Sequence, residues 1–275
     1  MKIVVVDGDL INLGDISWDP LYTLGEVTIL NHSSIHNSDI FKIVGDADIA
    51  VLHQSCVTEE LIESCGNLKY ICITSVGFDE VTMRAMACAK NKGIPISNVA
   101  SYGPAAIAQH ALALMLELTN HAGDFSHEVA MGRWRDGTAM AGTKNRLSMM
   151  ELSNKTLGII GYGRIGSYLG KYARALGMHV ITYSPYSGDA AKEEMEHVAL
   201  DVLLTKSDVI SVHCPLTAET YEIINRDSIS KMKEGAMLIN TARGGLVNEE
   251  DLADALKCKK IRAAADDVVS KEPIR

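Results

Sequence analysis

Short runs of apolar, mostly β-branched residues recur along the chain, and stretches with helical spacing separate them. Runs that are continuous rather than alternating are typical of strands buried on both faces of a parallel sheet, with helices as the crossovers. One series of runs fills the N-terminal part of the chain and a second fills the C-terminal part. The pattern predicts strands at 2–6, 26–30, 48–52, 70–73 and 94–97, and again at 157–160, 179–183, 208–213, 237–240 and 261–265.

Two series of this kind predict two α/β domains, each a doubly wound parallel sheet. Between them, Gly103 and Pro104 precede an Ala/Leu-rich helix predicted over 105–118, and proline is favoured in the first turn of a helix. We place the boundary just before this helix, which gives domains of residues 1–100 and 101–275. The stretch 122–150 has weak periodicity and several glycines, so we predict a connecting arm there rather than a core element.

Composition narrows the possible partners. The 275 residues are 47% hydrophobic and carry a formal net charge of −9 without any Lys/Arg run, which argues against nucleic acid as a partner. No apolar stretch is long enough to span a membrane, and the first apolar run is too short for a signal peptide. The six cysteines form no CxxC pair, which favours reduced thiols, no metal site and a cytoplasmic protein.

Residues 157–166 form a hydrophobic strand that leads directly into a GxGxxG motif and then into a helical pattern. Gly161 permits a tight turn, Gly163 lets the backbone approach a pyrophosphate, and Gly166 lets helix and strand pack closely. The start of the helix offers unpaired N–H groups and a positive dipole end to phosphates. The sequence therefore predicts a Rossmann-type domain that binds NAD or NADP. The predicted contacts at this turn are Gly161, Gly163, Arg164, Ile165 and Gly166.

The next strand leads to the position at which dinucleotide-binding folds carry an Asp or Glu for the ribose hydroxyls of NAD. Here that residue is Ser184, followed by Pro185 and Tyr186, with no adjacent arginine for the 2′-phosphate of NADP. Asp189 is close enough in sequence to bind the ribose hydroxyls instead, although an aspartate in a loop is more often simply exposed to solvent. The choice between NAD and NADP stays open.

Four segments resemble the D-isomer-specific 2-hydroxyacid dehydrogenases. INTARGGLV at 239–247 is similar to the family's INxxRGxxV signature, and HCPLT at 213–217 is similar to its HxPLT cofactor loop. The sequence TSVGFD at 74–79 resembles its substrate loop, and residues 264–273 resemble its AAxDVxxxEP stretch. The matches keep the family order. This family includes glycerate, lactate and phosphoglycerate dehydrogenases and the hydroxypyruvate and glyoxylate reductases.

The resemblance implies a flavodoxin-like substrate domain, a Rossmann cofactor domain and a homodimer formed through the latter. It implies reversible hydride transfer between NAD(P)H and a small 2-oxo acid such as hydroxypyruvate, glyoxylate or pyruvate. Arg243 would bind the substrate carboxylate or carbonyl, together with the backbone amides of Val76 and Gly77. Glu272 would raise the pKa of a catalytic histidine. The further cofactor contacts implied are Ser184, His213, Cys214, Pro215, Thr220, Thr241, Ala242 and Asp267.

Two features depart from the family pattern. The histidine that follows the family's glutamate is absent from the 275 residues, so we expect either a longer reading frame that supplies it or a variant with impaired chemistry. Asp266 stands where the family carries an apolar residue, and burial there would raise its pKa. Two alternatives stay open: a dinucleotide-sensing scaffold like the family's corepressor branch, and a formate- or phosphite-type oxidation on the same fold.

Overall fold

The computed structural model describes residues 1–31, 40–53, 55–77, 81–134, 148–184 and 195–271. The chain divides into two compact units, Met1–Gly103 and Pro104–Arg275. The division falls just after the boundary placed from the sequence, at the start of the helix that Pro104 opens. Both units are parallel α/β sheets, which confirms the predicted fold class.

Unit 1 contains a five-stranded parallel sheet in the order β2-β1-β3-β4-β5. This is the flavodoxin-like order, in which the direction of winding reverses between β1 and β3. The strands are β1 (Lys2–Val5), β2 (Glu26–Ile29), β3 (Ile49–Leu52), β4 (Tyr70–Ile73) and β5 (Ile96–Ser97). The helices are α1 (Gly8–Ile11), α2 (Asp19–Tyr22), α3 (Ile40–Val44), α4 (Glu59–Ser64) and α5 (Met83–Lys92).

Unit 2 contains a six-stranded parallel sheet in the order β11-β10-β9-β6-β7-β8. Its strands are β6 (Thr156–Ile160), β7 (His179–Tyr183), β8 (Glu196–His197), β9 (Val209–Val212), β10 (Ala236–Asn240) and β11 (Ile261–Asp266). Its helices are α6 (Pro104–Asn120), α7 (Ala122–Ala130), α8 (Arg164–Ala175), α9 (Leu200–Lys206), α10 (Arg226–Lys231) and α11 (Glu249–Lys257), with a 3-10 turn at Gly244–Leu246.

The central strands of unit 2 show why its sheet could be predicted from the sequence. Every residue of β9 and β10 is buried, and so is β6 from Leu157 onwards, because helices cover both faces of the sheet. The winding reverses between β6 and β9, since β7 follows β6 on one side and β9 joins it on the other. Such a reversal opens a crevice at the carboxyl ends of the two strands, where α/β proteins bind their ligands.

Two elements differ from the prediction. The strand β8 is only two polar residues long, so it gave no hydrophobic run, yet it pairs with β7 at Ile181 and Thr182. The helix α7 occupies part of the predicted arm, and none of its residues is buried. Residues 135–147 of that arm lie outside the described ranges. Within those ranges, each helix is either too short or too polar to cross a lipid bilayer.

Candidate active site

The turn after β6 accepts only glycine at its first position. Gly161 has a φ of +99°, and a Cβ there would lie 2.4 Å from the backbone nitrogen of Cys214. Its own N–H donates to the carbonyl of Tyr183 at 2.8 Å, which ties the turn to β7. A Cβ at Gly166 would lie 2.5 Å from the Gly161 carbonyl oxygen, so this glycine lets α8 pack against the turn. Both glycines are therefore required by the fold itself.

The middle glycine of the motif is different. Gly163 is the N-cap of α8 and makes no side-chain capping bond, and no described atom lies within 4 Å of the Cβ it lacks. Protein packing therefore does not explain the glycine at this position. Open space in front of the first helical amides is what a pyrophosphate requires, because those N–H groups and the helix dipole favour an anion. The residues present thus fit the phosphates of a dinucleotide.

The strand register lines up the predicted cofactor residues. Ile160 is level with Tyr183 on one side and with Val212 on the other, and Asn240 is level with both Val212 and Asp266. The five residues that follow these strand ends form one row along the carboxyl edge of the sheet. They are Gly161, Ser184, His213, Thr241 and Asp267.

A cavity of about 340 Å³ lies at this edge beside the glycine turn. Larger cavities lie elsewhere, such as one of about 780 Å³ between α10 and α11, but that one is not at the strand ends and is lined by the ion pair of Arg226 with Asp251. Ligands of parallel α/β sheets bind at the carboxyl ends, so the smaller cavity is the better candidate. Its lining includes Gly161, Gly163, Ser184, His213, Cys214, Pro215, Glu219 and Thr220.

His213 and Cys214 contribute neutral groups to this cavity. Burial lowers the pKa of His213 to about 4, and its Nε2 lies 2.8 Å from the Ser211 hydroxyl oxygen. The Nδ1 atom of His213 is buried without a hydrogen-bond partner among the described residues. Burial also raises the pKa of the Cys214 thiol to about 11. The imidazole is therefore uncharged near neutral pH and does not serve as a proton donor.

A buried asparagine shapes the loop that carries Arg243. The Asn240 Oδ1 accepts the Ala242 N–H at 3.1 Å, and its Nδ2 donates to the Arg243 carbonyl at 3.0 Å. The Arg243 Nη1 donates to the Ala242 carbonyl at 2.8 Å, and the side chain is exposed at the sheet edge. Gly244 follows because a Cβ there would lie 2.0 Å from the Val269 carbonyl carbon. These contacts explain why Asn240 is followed at this spacing by Arg243 and Gly244.

The end of β11 carries two carboxylates. The Asp267 N–H donates to the Asn240 carbonyl at 2.9 Å, and its Oδ1 lies 3.2 Å from the Nε2 of His110. Desolvation by the surrounding chain raises the pKa of Asp266 to about 6, with the charge of Glu249 adding to the effect, although the side chain keeps some contact with solvent. Glu272 lies outside the described residues.

The predicted substrate loop belongs to unit 1. The Ser75 hydroxyl donates to the Gly77 carbonyl at 2.6 Å, and the Asn98 side-chain amide donates to the Val76 carbonyl at 2.7 Å. These two bonds hold the backbone of Val76 and Gly77 just beyond β4. The rest of the loop, residues 78–80, lies outside the described ranges.

A polar network that the sequence did not predict lies at the carboxyl ends of the strands of unit 1, where the predicted substrate loop also begins. The buried Asp7 accepts the His53 N–H at 2.7 Å and the Ser55 hydroxyl at 2.9 Å, and the His53 Nδ1 lies 2.9 Å from the Thr74 hydroxyl. The four residues come from the ends of β1, β3 and β4, which are far apart in the chain. The one available signal was Asp7, a carboxylate directly after the first apolar run.

Metal ligands are not gathered in this region. Across the described ranges, no group of three His, Cys, Asp or Glu side chains could hold a metal ion. A family model for the D-isomer specific 2-hydroxyacid dehydrogenase NAD binding domain matches residues 112–275, which is more than half of the chain.

The chain belongs to the D-isomer specific 2-hydroxyacid dehydrogenases. Hydroxypyruvate reductase from Blautia hydrogenotrophica is 42% identical over 277 residues, covering 100% of this chain and 84% of that protein. Glycerate dehydrogenase from Methylorubrum extorquens is 34% identical, covering 86% of this chain and 71% of the other. The crystal structure of TT0316 from Thermus thermophilus superposes with a TM-score of 0.87 at 29% identity, covering 100% of this chain and 84% of that one. The family recognised from the motifs is thus confirmed, whereas the roles of individual residues stay predictions.

Gly163→Ala separates binding from folding. Because the missing Cβ faces open space, we expect the free energy of unfolding to stay within about 0.5 kcal/mol of the parent value. The added methyl group would occupy the space in front of the first helical amides, so NADH affinity should fall at least about tenfold. Fluorescence titration and chemical denaturation measure the two quantities. Gly161→Ala serves as the comparison variant, since it should destabilise the fold itself. Unchanged NADH affinity in Gly163→Ala would contradict a phosphate site at the amides that open α8.

Asp266→Asn should change the pH dependence of stability. A carboxyl whose pKa is raised from 3.8 to about 6 on folding costs stability above pH 6, and this cost disappears below its unfolded value. We expect the variant to gain about 1 kcal/mol at pH 7.5, a figure discounted for solvent exposure. The gain should vanish as the pH falls from about 6 to about 4. Urea denaturation at both ends of this range measures it, and a constant difference would show that charge is not the cause.

Proposed function

We propose that the protein catalyses reversible hydride transfer between a nicotinamide dinucleotide and a small 2-hydroxy acid, with hydroxypyruvate and glyoxylate as the first candidate 2-oxo acids. The observation that carries the proposal is that the glycine cradle after β6 and the Arg243 loop after β10 lie at the carboxyl edge of one sheet. The relatives named hydroxypyruvate reductase and glycerate dehydrogenase support this substrate class.

The cofactor would be held along the row of strand ends. The amides that open α8 would bind the pyrophosphate, and the cavity beside Ser184 and Pro215 would take the adenosine half. The segment Thr241–Ala242 and the carboxylate of Asp267 would bind the nicotinamide half, as the family resemblance implies. When bound, the dinucleotide supplies the hydride for reduction of the 2-oxo acid or accepts it in the reverse direction.

Arg243 has the properties that the substrate requires. A guanidinium presents a planar pair of N–H donors that can bind a carboxylate in two-point fashion, and it stays positively charged at any pH used in an assay. In a chain of net charge −9, such a placed cation is needed to attract an anionic substrate. The same group would stabilise negative charge that develops on the carbonyl oxygen during reduction. The amides of Val76 and Gly77 would bind the substrate carboxylate from unit 1.

Reduction of a 2-oxo acid also requires a group that donates a proton to the carbonyl oxygen. In the family a histidine supplies this proton, and a glutamate that corresponds to Glu272 keeps the histidine protonated near neutral pH. His213 does not replace it, because its pKa of about 4 leaves it neutral. We therefore expect dinucleotide binding to depend on the residues described above, and turnover to depend in addition on a histidine that fills the family role.

The dinucleotide-sensing scaffold is not favoured over catalysis. The matched relatives carry the names of reductases and dehydrogenases of hydroxy acids, and Arg243 is kept in a loop shaped by a buried asparagine. A scaffold that only senses the cofactor would need no placed cation at the end of β10. Oxidation of formate or phosphite on this fold would be separated by the same substrate panel.

The protein should oxidise NADH or NADPH with at least one of hydroxypyruvate, glyoxylate and pyruvate. In Arg243→Met, kcat/KM should fall by about 100-fold to 1000-fold while dinucleotide affinity stays unchanged, because the substrate loses its cation. Absorbance at 340 nm measures turnover. Arg174→Met is the control, since that arginine is exposed at the far end of α8. Absence of turnover across the panel would overturn the proposal.

We further infer a homodimer that forms through unit 2. Val129, Met131 and Trp134 are all more than half exposed on and after α7, and Trp134 makes an edge contact with Phe125 at 6.3 Å between ring centres. Adjacent exposed apolar side chains on one segment are typical of a protein interface. Reduced thiols at all six cysteines, each within the described ranges, support residence in the cytoplasm as part of the same proposal.

Light scattering should give the mass of a dimer. In Trp134→Ala, the dissociation constant of the dimer should rise at least about tenfold, because a tryptophan buried in an interface contributes much of its binding energy. Sedimentation over a range of concentrations measures the constant. Met83→Ala is the matched control, because Met83 is 79% exposed on unit 1. A monomeric mass for the parent protein would contradict the dimer.

A further inference from the structure

The cavity proposed for the adenosine half has an unusual charge pattern. It is built from the ends of β6, β7 and β9, and Ser184 is the residue level with Gly161 at the position where an acidic side chain would bind ribose hydroxyls. Ser184 is neutral and short, so it neither repels a 2′-phosphate nor binds a ribose diol in two-point fashion. The selection between the two forms of the dinucleotide must then come from another residue of the cavity.

Glu219 is the charged side chain among the residues that line this cavity. Its carboxylate accepts a hydrogen bond from the Thr217 hydroxyl at 2.7 Å, which lowers the pKa of Glu219 and keeps it ionised. Two further titratable lining groups are neutral near pH 7, since burial lowers the pKa of His213 and raises that of Cys214. The lining residues that the structure describes therefore carry one negative charge and no positive one.

A compact turn holds the backbone that carries Glu219. The Thr220 hydroxyl donates to the Pro215 carbonyl at 2.6 Å and accepts the Thr217 N–H at 2.8 Å, so both ends of the turn are held. Glu219 sits within the turn, and Thr217 at its start orients the side chain. A negative charge that is carried on a turn held in this way stays near the cavity and would oppose a phosphate there.

We infer that Glu219 makes the protein select NAD(H) over NADP(H), by facing the adenosine ribose in place of the acidic residue that Ser184 replaces. A ribose diol can donate to the carboxylate, whereas a 2′-phosphate would meet it without a compensating cation among the described residues that line the cavity. The sequence after Ser184 adds no arginine before Arg226, so it offers no guanidinium for such a phosphate. This inference rests on the proposed dinucleotide site and deepens it.

Titration of the 275-residue chain with NADH and with NADPH, followed by nicotinamide fluorescence, tests it without any need for turnover. NADH should bind at least about tenfold more tightly than NADPH. In Glu219→Gln, this preference should narrow about fivefold to tenfold, the size expected for a unit charge facing a doubly charged phosphate across roughly 7 Å of water-like medium. Tighter binding of NADPH should account for most of the change.

Glu222→Gln is the matched control, because Glu222 lies in the same loop outside the cavity lining, and its variant should leave the preference unchanged. Equal affinities in the parent, or a preference that Glu219→Gln does not alter, would overturn the inference and leave the proposed function intact. Binding of neither dinucleotide would overturn the proposed function itself. The three outcomes are therefore distinguishable in one set of titrations.

Discussion

The close approach of two backbone segments, at Gly161 and at Cys214, is the constraint on which the rest of unit 2 depends. It joins the end of β6 to the end of β9 at the point where the winding of the sheet reverses, and only a residue without a side chain allows it. Because the two ends touch, the loop after β9 is held beside the glycine turn, and the cavity between them has a defined wall. The helix that begins at Arg164 then faces the open side of that cavity.

The parallel register extends this constraint along the sheet. Five neighbouring strands of the sheet end level with one another, so loops from distant parts of the chain begin in one row. In sheet order they are β7, β6, β9, β10 and β11. A cradle for phosphates, a neutral imidazole, an arginine loop and a carboxylate thereby occur along one edge without any local sequence relationship. This arrangement is general for parallel sheets and explains why so few residues need special chemistry.

The strands were predictable because burial on both faces leaves continuous apolar runs, as in β9 and β10. The glycine turn and Arg243 were predictable because each lies in a contiguous motif. By contrast, β8 consists of two polar residues and has no hydrophobic run, and the helix α7 is a short element within a stretch that was predicted to be an arm. The network around Asp7 and the charge at Glu219 depend on register and on loop folding, which join residues that sequence spacing does not relate.

Asn240 has a consequence beyond its own hydrogen bonds. Its buried amide both accepts from the Ala242 N–H and donates to the carbonyl of Arg243, so the backbone that carries the guanidinium is held from within the sheet interior. Evolution or engineering that altered substrate preference by rebuilding the arginine loop would have to keep this amide, since even an isosteric aspartate could not donate. Change in the backbone of this loop is thus restrained by a residue that is buried in the sheet.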